Sequence, residues 1–290
     1  MIQPVFRFAP SPNGDLHLGH ALSALINQRM AGSVNGRLLL RIEDIDKTRC
    51  TPQFEAAILD DLKWLGLSWE EPVRRQSEHL SEYQALLERL IRDELVYPAF
   101  MSRGEIRAHI AEHEAKGRKW PHDPDGAPLY PRVDKTLSQR ERRGRIADGT
   151  PYSWRLDMDA ATVGVGTLTW TEFSGEDMTS SNQIDARPQD WGDVIVARKE
   201  IPTSYHLSVV ADDALQGVSH VVRGLDLYAA TGVQRLLQHH LGLPAPRYFH
   251  HRLIQGPDGR KLSKSLGDQS LGALRQAGAT PEDVRRMIAF

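Results

Sequence analysis

The first 45 residues carry apolar side chains in two short runs on either side of a segment with helical spacing. Residues 5–9 form an apolar run that ends at two prolines and an Asn-Gly pair, which predicts a strand entering a turn. From Leu18 onward the apolar positions follow helical spacing, and Asp15 is expected in the N-cap region. Residues 37–42 hold three leucines and an isoleucine, as in a buried strand. The pattern therefore predicts a strand–helix–strand unit.

The helical spacing continues and then breaks down. Residues 53–72 and 77–96 predict two more amphipathic helices. Residues 97–151 are rich in charge, glycine and proline, which predicts an insertion that is partly helical and has its own loops. Short stretches typical of strands follow at residues 152–156, 166–173 and 193–197.

A regular alternation of strand and helix patterns returns after residue 200. The apolar run near residues 207–210 predicts a strand, residues 220–223 a second strand, and residues 228–241 a helix. After a turn and a loop rich in lysine and serine, residues 281–288 predict a short helical tail. The whole order of elements predicts an α/β fold.

Composition narrows the class of protein. The chain has 290 residues with a net charge of -2, 26% charged and 40% hydrophobic side chains, which is typical of a globular protein of two domains or of one domain with an insertion. The single cysteine, Cys50, excludes an intramolecular disulfide and a cysteine-based zinc site. The sequence has no apolar run of about 18 residues for a membrane helix and no secretory signal, so a cytoplasmic enzyme fits best.

A first candidate site lies at the start of the first predicted helix. His17 and His20 are three residues apart there, directly after a strand. A helix N-terminus attracts phosphate, and imidazole donors stabilise charge that develops on a phosphoryl group. Gly19 would let a base or ribose approach the backbone closely. The alternative is two partly exposed histidines in a polar first turn.

A second candidate is the loop at residues 256–265, Gly-Pro-Asp-Gly-Arg-Lys-Leu-Ser-Lys-Ser. Lys261 and Lys264 are mobile point charges suited to a polyphosphate. The spacing is not that of a Walker A loop. The alternative is a solvated basic loop.

A third candidate follows the second predicted strand, at the edge where open α/β sheets bind ligands. Arg41 and Glu43 alternate there, and the carboxylate suits an ammonium group. Asp44 and Asp46 could instead indicate a metal ion, and the alternative to both is a network of salt bridges.

The fourth candidate consists of Tyr205 and Arg223. Arg223 precedes a glycine, and its guanidinium can donate two parallel hydrogen bonds to a carboxylate. Its alternative is a structural ion pair. The histidine pairs at 239–240 and 250–251 predict no site, because adjacent histidines usually point apart.

Together these segments resemble the catalytic core of class I aminoacyl-tRNA synthetases, in the glutamate branch. Residues 17–20, His-Leu-Gly-His, resemble the HIGH motif, and residues 261–265, Lys-Leu-Ser-Lys-Ser, resemble the KMSKS motif. Further matches to glutamyl-tRNA synthetases lie at residues 7–12, 41–44, 205–207 and 222–224. The resemblance implies a Rossmann-like parallel sheet with a connective insertion and a short C-terminal helical tail, without an anticodon-binding domain.

The resemblance also implies a role for each site residue. Catalysis is expected from His17, His20, Lys261 and Lys264, and ATP with Mg²⁺ is expected on His17, Gly19, His20 and Lys264. L-Glutamate is expected to bind Arg7, Ser11, Glu43, Tyr205 and Arg223.

Only 25 residues follow Ser265, where glutamyl-tRNA synthetases carry a large anticodon-binding region. This layout is similar to that of the glutamyl-Q tRNA(Asp) synthetases, which attach glutamate to the queuosine base of tRNA(Asp). The alternatives are a glutamyl-tRNA synthetase that charges tRNA(Glu) and a non-catalytic module that binds glutamate or tRNA. The expected division is 1–96 and 191–255 for the two halves of the nucleotide-binding domain, 97–190 for the insertion and 256–290 for the loop and tail.

One departure from the resemblance concerns zinc. Members of this family often bind zinc in the insertion through two cysteines, followed later by a tyrosine and a cysteine. Here Ala99 and Met101 stand at the first two positions, and no cysteine follows Tyr130. We therefore expect no zinc, no membrane partner and, by default, a monomer.

Overall fold

The computed structural model describes residues 3–256 and 269–290. Its elements, in chain order, are β1 (Val5–Phe8), α1 (Leu18–Ser33), β2 (Arg37–Ile42), α2 (Pro52–Trp64), β3 (Glu70–Arg75), α3 (Leu80–Arg92), β4 (Val96–Ala99), α4 (Arg103–Ala115), α5 (Gln139–Ala147), β5 (Ser153–Leu156), α6 (Met158–Thr162), β6 (Thr169–Phe173), β7 (Ser181–Asp185), β8 (Ile195–Arg198), α7 (Tyr205–Leu215), β9 (His220–Gly224), α8 (Ala230–Leu241), β10 (Arg247–His251), α9 (Leu271–Gln276) and α10 (Pro281–Met287).

A seven-stranded sheet in the order β3-β2-β1-β9-β10-β6-β7 carries the fold. Its strands pair in parallel from β3 to β6, and β7 pairs antiparallel to β6 at one edge. The predicted strand–helix–strand unit is confirmed as β1, α1 and β2, because β1 pairs in parallel with β2. The chain continues from β1 to β2 on one side, while β9 lies on the other side of β1. A cleft therefore forms at the carboxyl ends of β1 and β9.

The two largest of the four apolar clusters among the described residues hold most of the elements together. The first surrounds α1 and includes Phe6 of β1 and Leu40 of β2, both almost fully buried. The second joins α3, α7 and α8 to the smaller sheet, through side chains such as Leu87, Val196 and Leu236. Burial of such side chains contributes most of the favourable free energy of folding. Across the part of the chain that the structure describes, no helix is both long and apolar enough to cross a membrane.

The strands between residues 96 and 198 are shared between the two sheets. The smaller antiparallel sheet has the order β4-β5-β8. β6 and β7 join the large sheet although they lie within residues 97–190, and β8 joins the small sheet although it follows residue 190. Along the chain, β4 and β5 belong to the small sheet, β6 and β7 belong to the large sheet, and β8 belongs to the small sheet again.

Two predicted elements are wrong. The run at 207–210 is part of helix α7, not a strand. Its residues are buried almost all round, so the helix shows no polar face, and a short apolar run does not distinguish strand from helix. The helix predicted over 53–72 ends at Trp64, and β3 follows it as an edge strand, a position that tolerates Pro72.

The positions that the resemblance assigns to zinc ligands lie together in the insertion. Ala99 packs with Tyr97 and Tyr130, and Met101 lies against the same cluster. A methyl group and a thioether supply neither thiolate nor imidazole, so these residues do not fit a four-ligand zinc site. Instead, the Tyr130 hydroxyl donates to the carboxylate of Asp134. Within residues 3–256 and 269–290, no group of three or more His, Cys, Asp or Glu side chains is arranged to hold a metal ion.

Candidate functional site

A cavity of about 720 Å³ opens at the carboxyl ends of β1 and β9, beside the start of α1. Its lining includes eight of the residues that the sequence and the resemblance single out, which are Arg7, Ser11, His17, Gly19, His20, Glu43, Tyr205 and Arg223. Lys261 and Lys264 lie outside the described residues. The cavity therefore brings the candidate phosphate site and the candidate amino-acid site together in one space.

The two histidines form the N-terminus of α1. His17, rather than Asp15, is the N-cap residue, and its Nδ1 accepts a hydrogen bond from the backbone N–H of Gly19 at 3.1 Å. The Nδ1 of His20 accepts one from the backbone N–H of His17 at 3.2 Å. Because each Nδ1 is an acceptor, each neutral ring carries its proton on Nε2. The pair therefore has the donor chemistry that stabilises a phosphoryl group.

Both described flanks of the lysine and serine loop lie beside these histidines. Ile254, before the loop, lines the cavity. Ser270, after it, pairs with His17 in a β-bridge, and the backbone N–H of Leu271 donates to the carbonyl of Leu16 at 2.8 Å. The chain after the loop is therefore bonded to the start of α1, and the chain before the loop borders the same cavity.

Arg7 is held by one end of its guanidinium. Its Nε donates to Oδ1 of Asp213 at 3.1 Å, and both side chains are buried. Its two terminal nitrogens have no protein partner among the described residues, and Arg7 lines the cavity. An arginine fixed in this way presents a planar pair of donors that matches a carboxylate.

Asp213 was not singled out by the sequence, although a pair of aspartates inside an apolar run is a signal for buried ion pairs. Its Oδ1 also accepts from Arg41 at 2.8 Å. Although burial opposes it, Arg7 and Arg41 hold the pKa of Asp213 below its usual range. Asp213 therefore stays ionised and holds Arg7 at Nε, which leaves the terminal nitrogens of Arg7 available to a ligand.

Arg41 lies fully buried at the centre of a charge network. Its terminal nitrogens contact Asp213 and, at 3.1 Å, the carboxylate of Glu43, and its Nε lies 3.6 Å from Asp212. Although burial opposes it, these carboxylates raise the pKa of Arg41. The network joins β2 to α7 and fixes both Glu43 and, through Asp213, Arg7.

Glu43 is an anionic residue of the cavity, whose lining also includes Asp226. Burial raises the pKa of the Glu43 carboxyl, while Arg41 and Arg7 oppose this effect. A bound ammonium group would favour the ionised form. The neighbouring aspartates have local partners: Asp44 accepts from the hydroxyl of Ser77 at 2.6 Å, and Asp46 from the hydroxyl of Thr48 at 2.6 Å.

Arg223 is held much more completely than Arg7. Its Nε donates to Nε2 of His250 at 3.0 Å, and its terminal nitrogens contact Gln234, Thr231, the carbonyl of Leu227 and the Tyr205 hydroxyl. The contact with Tyr205, at 3.4 Å, is the longest of these, and both residues line the cavity. A ligand can therefore replace the hydrogen bond to Tyr205 without disturbing the stronger ones.

A second cavity, of about 290 Å³, adjoins the first. The two share the lining residues Ser11, Glu43, Arg49 and Tyr205. Ser204 and His206 also line the second cavity, and the Ser204 hydroxyl and His206 Nδ1 are buried atoms with no hydrogen-bond partner among the described residues. Burial lowers the pKa of His206 to about 4, so its ring is neutral at pH 7. Unpaired polar atoms beside a cavity are suited to a hydroxylated ligand.

Comparison with known proteins gives consistent matches over nearly the whole chain. The family model described as tRNA synthetases class I (E and Q), catalytic domain, matches residues 4–290. The glutamyl-Q tRNA(Asp) synthetase of Rhodobacter capsulatus is 45% identical over 287 residues, which are 99% of this chain and 100% of that protein. The glutamate–tRNA ligase 2 of Nitrosococcus oceani is 39% identical over 98% of this chain.

The solved structures agree with the sequence matches. A glutamate tRNA ligase from Elizabethkingia meningosepticum, crystallised in complex with its amino acid, superposes with a TM-score of 0.78 at 26% identity over 100% of this chain. The chain spans 61% of that protein and 58% of the N. oceani ligase, so it matches little more than half of these longer relatives.

Proposed function

We propose that this chain, which belongs to the class I tRNA synthetases (E and Q), activates L-glutamate with ATP and transfers the glutamyl group to the queuosine base in the anticodon of tRNA(Asp). The observation that carries the proposal is the single cavity that joins a histidine pair at a helix start to two arginines and a glutamate. The R. capsulatus relative, matched over its whole length, supports queuosine-containing tRNA(Asp) as the acceptor.

In the activation step, an oxygen of the glutamate α-carboxylate attacks the α-phosphorus of ATP. A bond forms between this oxygen and the phosphorus, the bond to the bridging oxygen breaks, and pyrophosphate leaves. Mg²⁺ held by the phosphates would neutralise part of their charge. The Nε2–H groups of His17 and His20 stabilise the charge on the α-phosphate. Lys261 and Lys264, known here from the sequence alone, neutralise the pyrophosphate. Such chemistry depends mainly on positioning and electrostatic stabilisation.

Recognition of glutamate requires two cationic contacts and one anionic contact. Arg7 offers the pair of donors described above, and Arg223 offers the donor that it shares with Tyr205. Glu43 meets the ammonium group. The Ser11 hydroxyl, which lines the same cavity, adds a hydrogen bond. Two positive groups and one negative group thus face a ligand of net charge -1.

The transfer step needs a hydroxyl group of the acceptor close to the acyl carbon of the adenylate. We propose that the second cavity admits this part of the acceptor, since it shares four lining residues with the first cavity. The hydroxyl oxygen attacks the acyl carbon, the bond from this carbon to the phosphate oxygen breaks, and AMP leaves with the hydroxyl proton on its phosphate. The Ser204 hydroxyl and His206 Nδ1 are the protein groups suited to bind an acceptor hydroxyl there.

Replacement of Gly19 by alanine is expected to slow glutamate-dependent ATP–pyrophosphate exchange. A Cβ at this position would lie 3.0 Å from Cε1 and 3.2 Å from Nδ1 of His17, so the imidazole must move by a few tenths of an ångström. We expect a loss of about tenfold, because a misplacement of about 1 Å can cost about a hundredfold. Gly32→Ala in the same helix is the control, since nothing lies within 4 Å of its Cβ position. Equal rates for the two variants would contradict the assignment.

The acceptor is tested by transfer of labelled glutamate, with ATP, onto unfractionated tRNA from two kinds of cells, those that make queuosine and those that cannot. We expect label only on the pool that contains queuosine. A chain with His20→Ala should label neither pool, which ties the transfer to the cavity. Equal labelling of both pools would favour the glutamyl-tRNA synthetase for tRNA(Glu), and no labelling of either would favour a non-catalytic binding module.

A further inference from the structure

Three neighbouring parallel strands carry a row of charged and polar side chains behind the main cavity. Arg223 on β9 lies in register with His250 on β10, and β10 pairs on its other side with β6, which carries Glu172. The three residues are far apart in the sequence, and the sheet order brings them side by side. Of the three, only Arg223 lines the cavity.

His250 bridges the other two side chains. Its Nδ1 lies 2.9 Å from Oε2 of Glu172, and its backbone N–H donates to Oε1 at 2.9 Å. Its Nε2 accepts from Nε of Arg223 at 3.0 Å, with the Thr231 hydroxyl 3.3 Å away. The indole N–H of Trp170 also donates to Glu172, at 3.0 Å. Every one of these contacts on Glu172 comes from an N–H group, as a carboxylate requires.

The two partners of His250 determine where its single proton lies. Burial lowers the pKa of His250, although its hydrogen bond with Glu172 opposes this effect, so the ring is neutral at pH 7. Glu172 accepts hydrogen bonds and cannot donate them, which places the proton on Nδ1. Nε2 is then an acceptor for the Arg223 N–H. In the opposite tautomer, two N–H groups would face each other across 3.0 Å.

We propose that Glu172 and His250 are positioning residues that fix the guanidinium of Arg223 for a substrate carboxylate, through the tautomer that Glu172 imposes on His250. The inference rests on the proposed function, in which Arg223 binds glutamate. The sequence pattern gave no reason to assign a role to residues 250–251, because the partners of His250 lie on other strands.

His250 holds one edge of the Arg223 guanidinium. Its Nε2 accepts from Nε, and the Thr231 hydroxyl, 3.3 Å from the same Nε2, accepts from a terminal nitrogen at 2.7 Å. Gln234 accepts from the other terminal nitrogen, the one that faces Tyr205. If the Nε contact becomes repulsive, the plane turns, and the nitrogen that faces Tyr205 leaves its position at the cavity wall. This change weakens binding of the substrate carboxylate and leaves the reaction at phosphorus unchanged.

The test is Glu172→Gln, which keeps the size of the side chain and adds an N–H donor toward His250. We expect the KM for glutamate in ATP–pyrophosphate exchange to rise by about tenfold, the effect of one lost buried hydrogen bond. The maximal rate and the KM for ATP should change little. Two-bond ¹H–¹⁵N correlation spectra of histidine-labelled protein should show that the His250 ring moves its proton from Nδ1 to Nε2, with His250→Asn to assign the signals.

Two further variants separate positioning from a merely structural role. Glu172→Asp keeps a carboxylate and should restore much of the glutamate affinity and the Nδ1–H tautomer. Asp185→Asn, an exposed change on the adjoining strand β7, should leave both measurements unchanged. A higher KM without a change of tautomer, or an unchanged KM in Glu172→Gln, would overturn the proposal. If the wild-type chain activates no glutamate, the proposed function fails, and the spectra alone decide whether Glu172 sets the tautomer of His250.

Discussion

Replacement of Arg41 by leucine is expected to cause the largest loss of stability of any single change in the large sheet. Arg41 is fully buried and contacts the carboxylates of Glu43, Asp212 and Asp213. Removal of Arg41 leaves Glu43 without its hydrogen-bonded partner and takes one positive charge from Asp212 and Asp213, and breaking a buried charge pair costs about 3–5 kcal/mol. Because 1 kcal/mol corresponds to about 2–4 °C in chains of about 150–250 residues and to less in longer chains, we expect the Tm to fall by about 6 °C.

The matched control is Arg37→Leu, which removes an arginine from the same strand. Arg37 pairs with Glu70, but their side chains are 40% and 45% exposed, and an ion pair in solvent contributes little to stability because water and salt screen it. Thermal unfolding of the two variants, followed by circular dichroism, measures the difference. A Tm for Arg41→Leu within about 2 °C of that for Arg37→Leu would contradict a structural role for the network.

The pattern of apolar residues predicted some elements of the fold and missed others. Apolar periodicity was sufficient for β1, α1 and β2, where the helix has one buried face and the strands are short and bounded by turns. It failed at α7, because a helix that is buried all round has no polar face to reveal its period. It also missed β10, whose sequence contains an arginine and two histidines. These residues are stabilised there by partners that only the sheet order supplies.

The residues of the candidate site also fall into a group that could be predicted from the sequence and a group that could not. Residues beside the motifs, such as His17, Glu43 and Arg223, were predicted and line one cavity, because the carboxyl ends of adjacent parallel strands meet at one edge. The groups that hold them were not predicted. Asp213 lies 206 residues from Arg7, and Glu172 lies 78 residues from His250. Such pairs depend on packing between distant segments, so local spacing carries no signal for them.

Replacement of Arg7 by alanine is expected to abolish most glutamate activation while ATP binding survives. Arg7 is a buried cationic side chain of the cavity, and its terminal nitrogens make no hydrogen bond to the described residues. Loss of one partner from a buried charge pair costs about 3–5 kcal/mol, which corresponds to a loss of about 10²- to 10³-fold or more in kcat/KM for glutamate. The fold should be retained, because Asp213 keeps its contact with Arg41 at 2.8 Å.

Arg7→Lys is the matched variant for this prediction. A lysine keeps the charge near Asp213 but offers a point charge in place of the planar pair of donors, so we expect an activity between those of the wild type and Arg7→Ala. ATP–pyrophosphate exchange at varied glutamate measures the activity, and equilibrium binding of ATP to each variant reports whether the histidine end of the cavity is intact. If Arg7→Ala retains exchange within about threefold of the wild type, Arg7 does not bind the carboxylate, since loss of even one such hydrogen bond costs more.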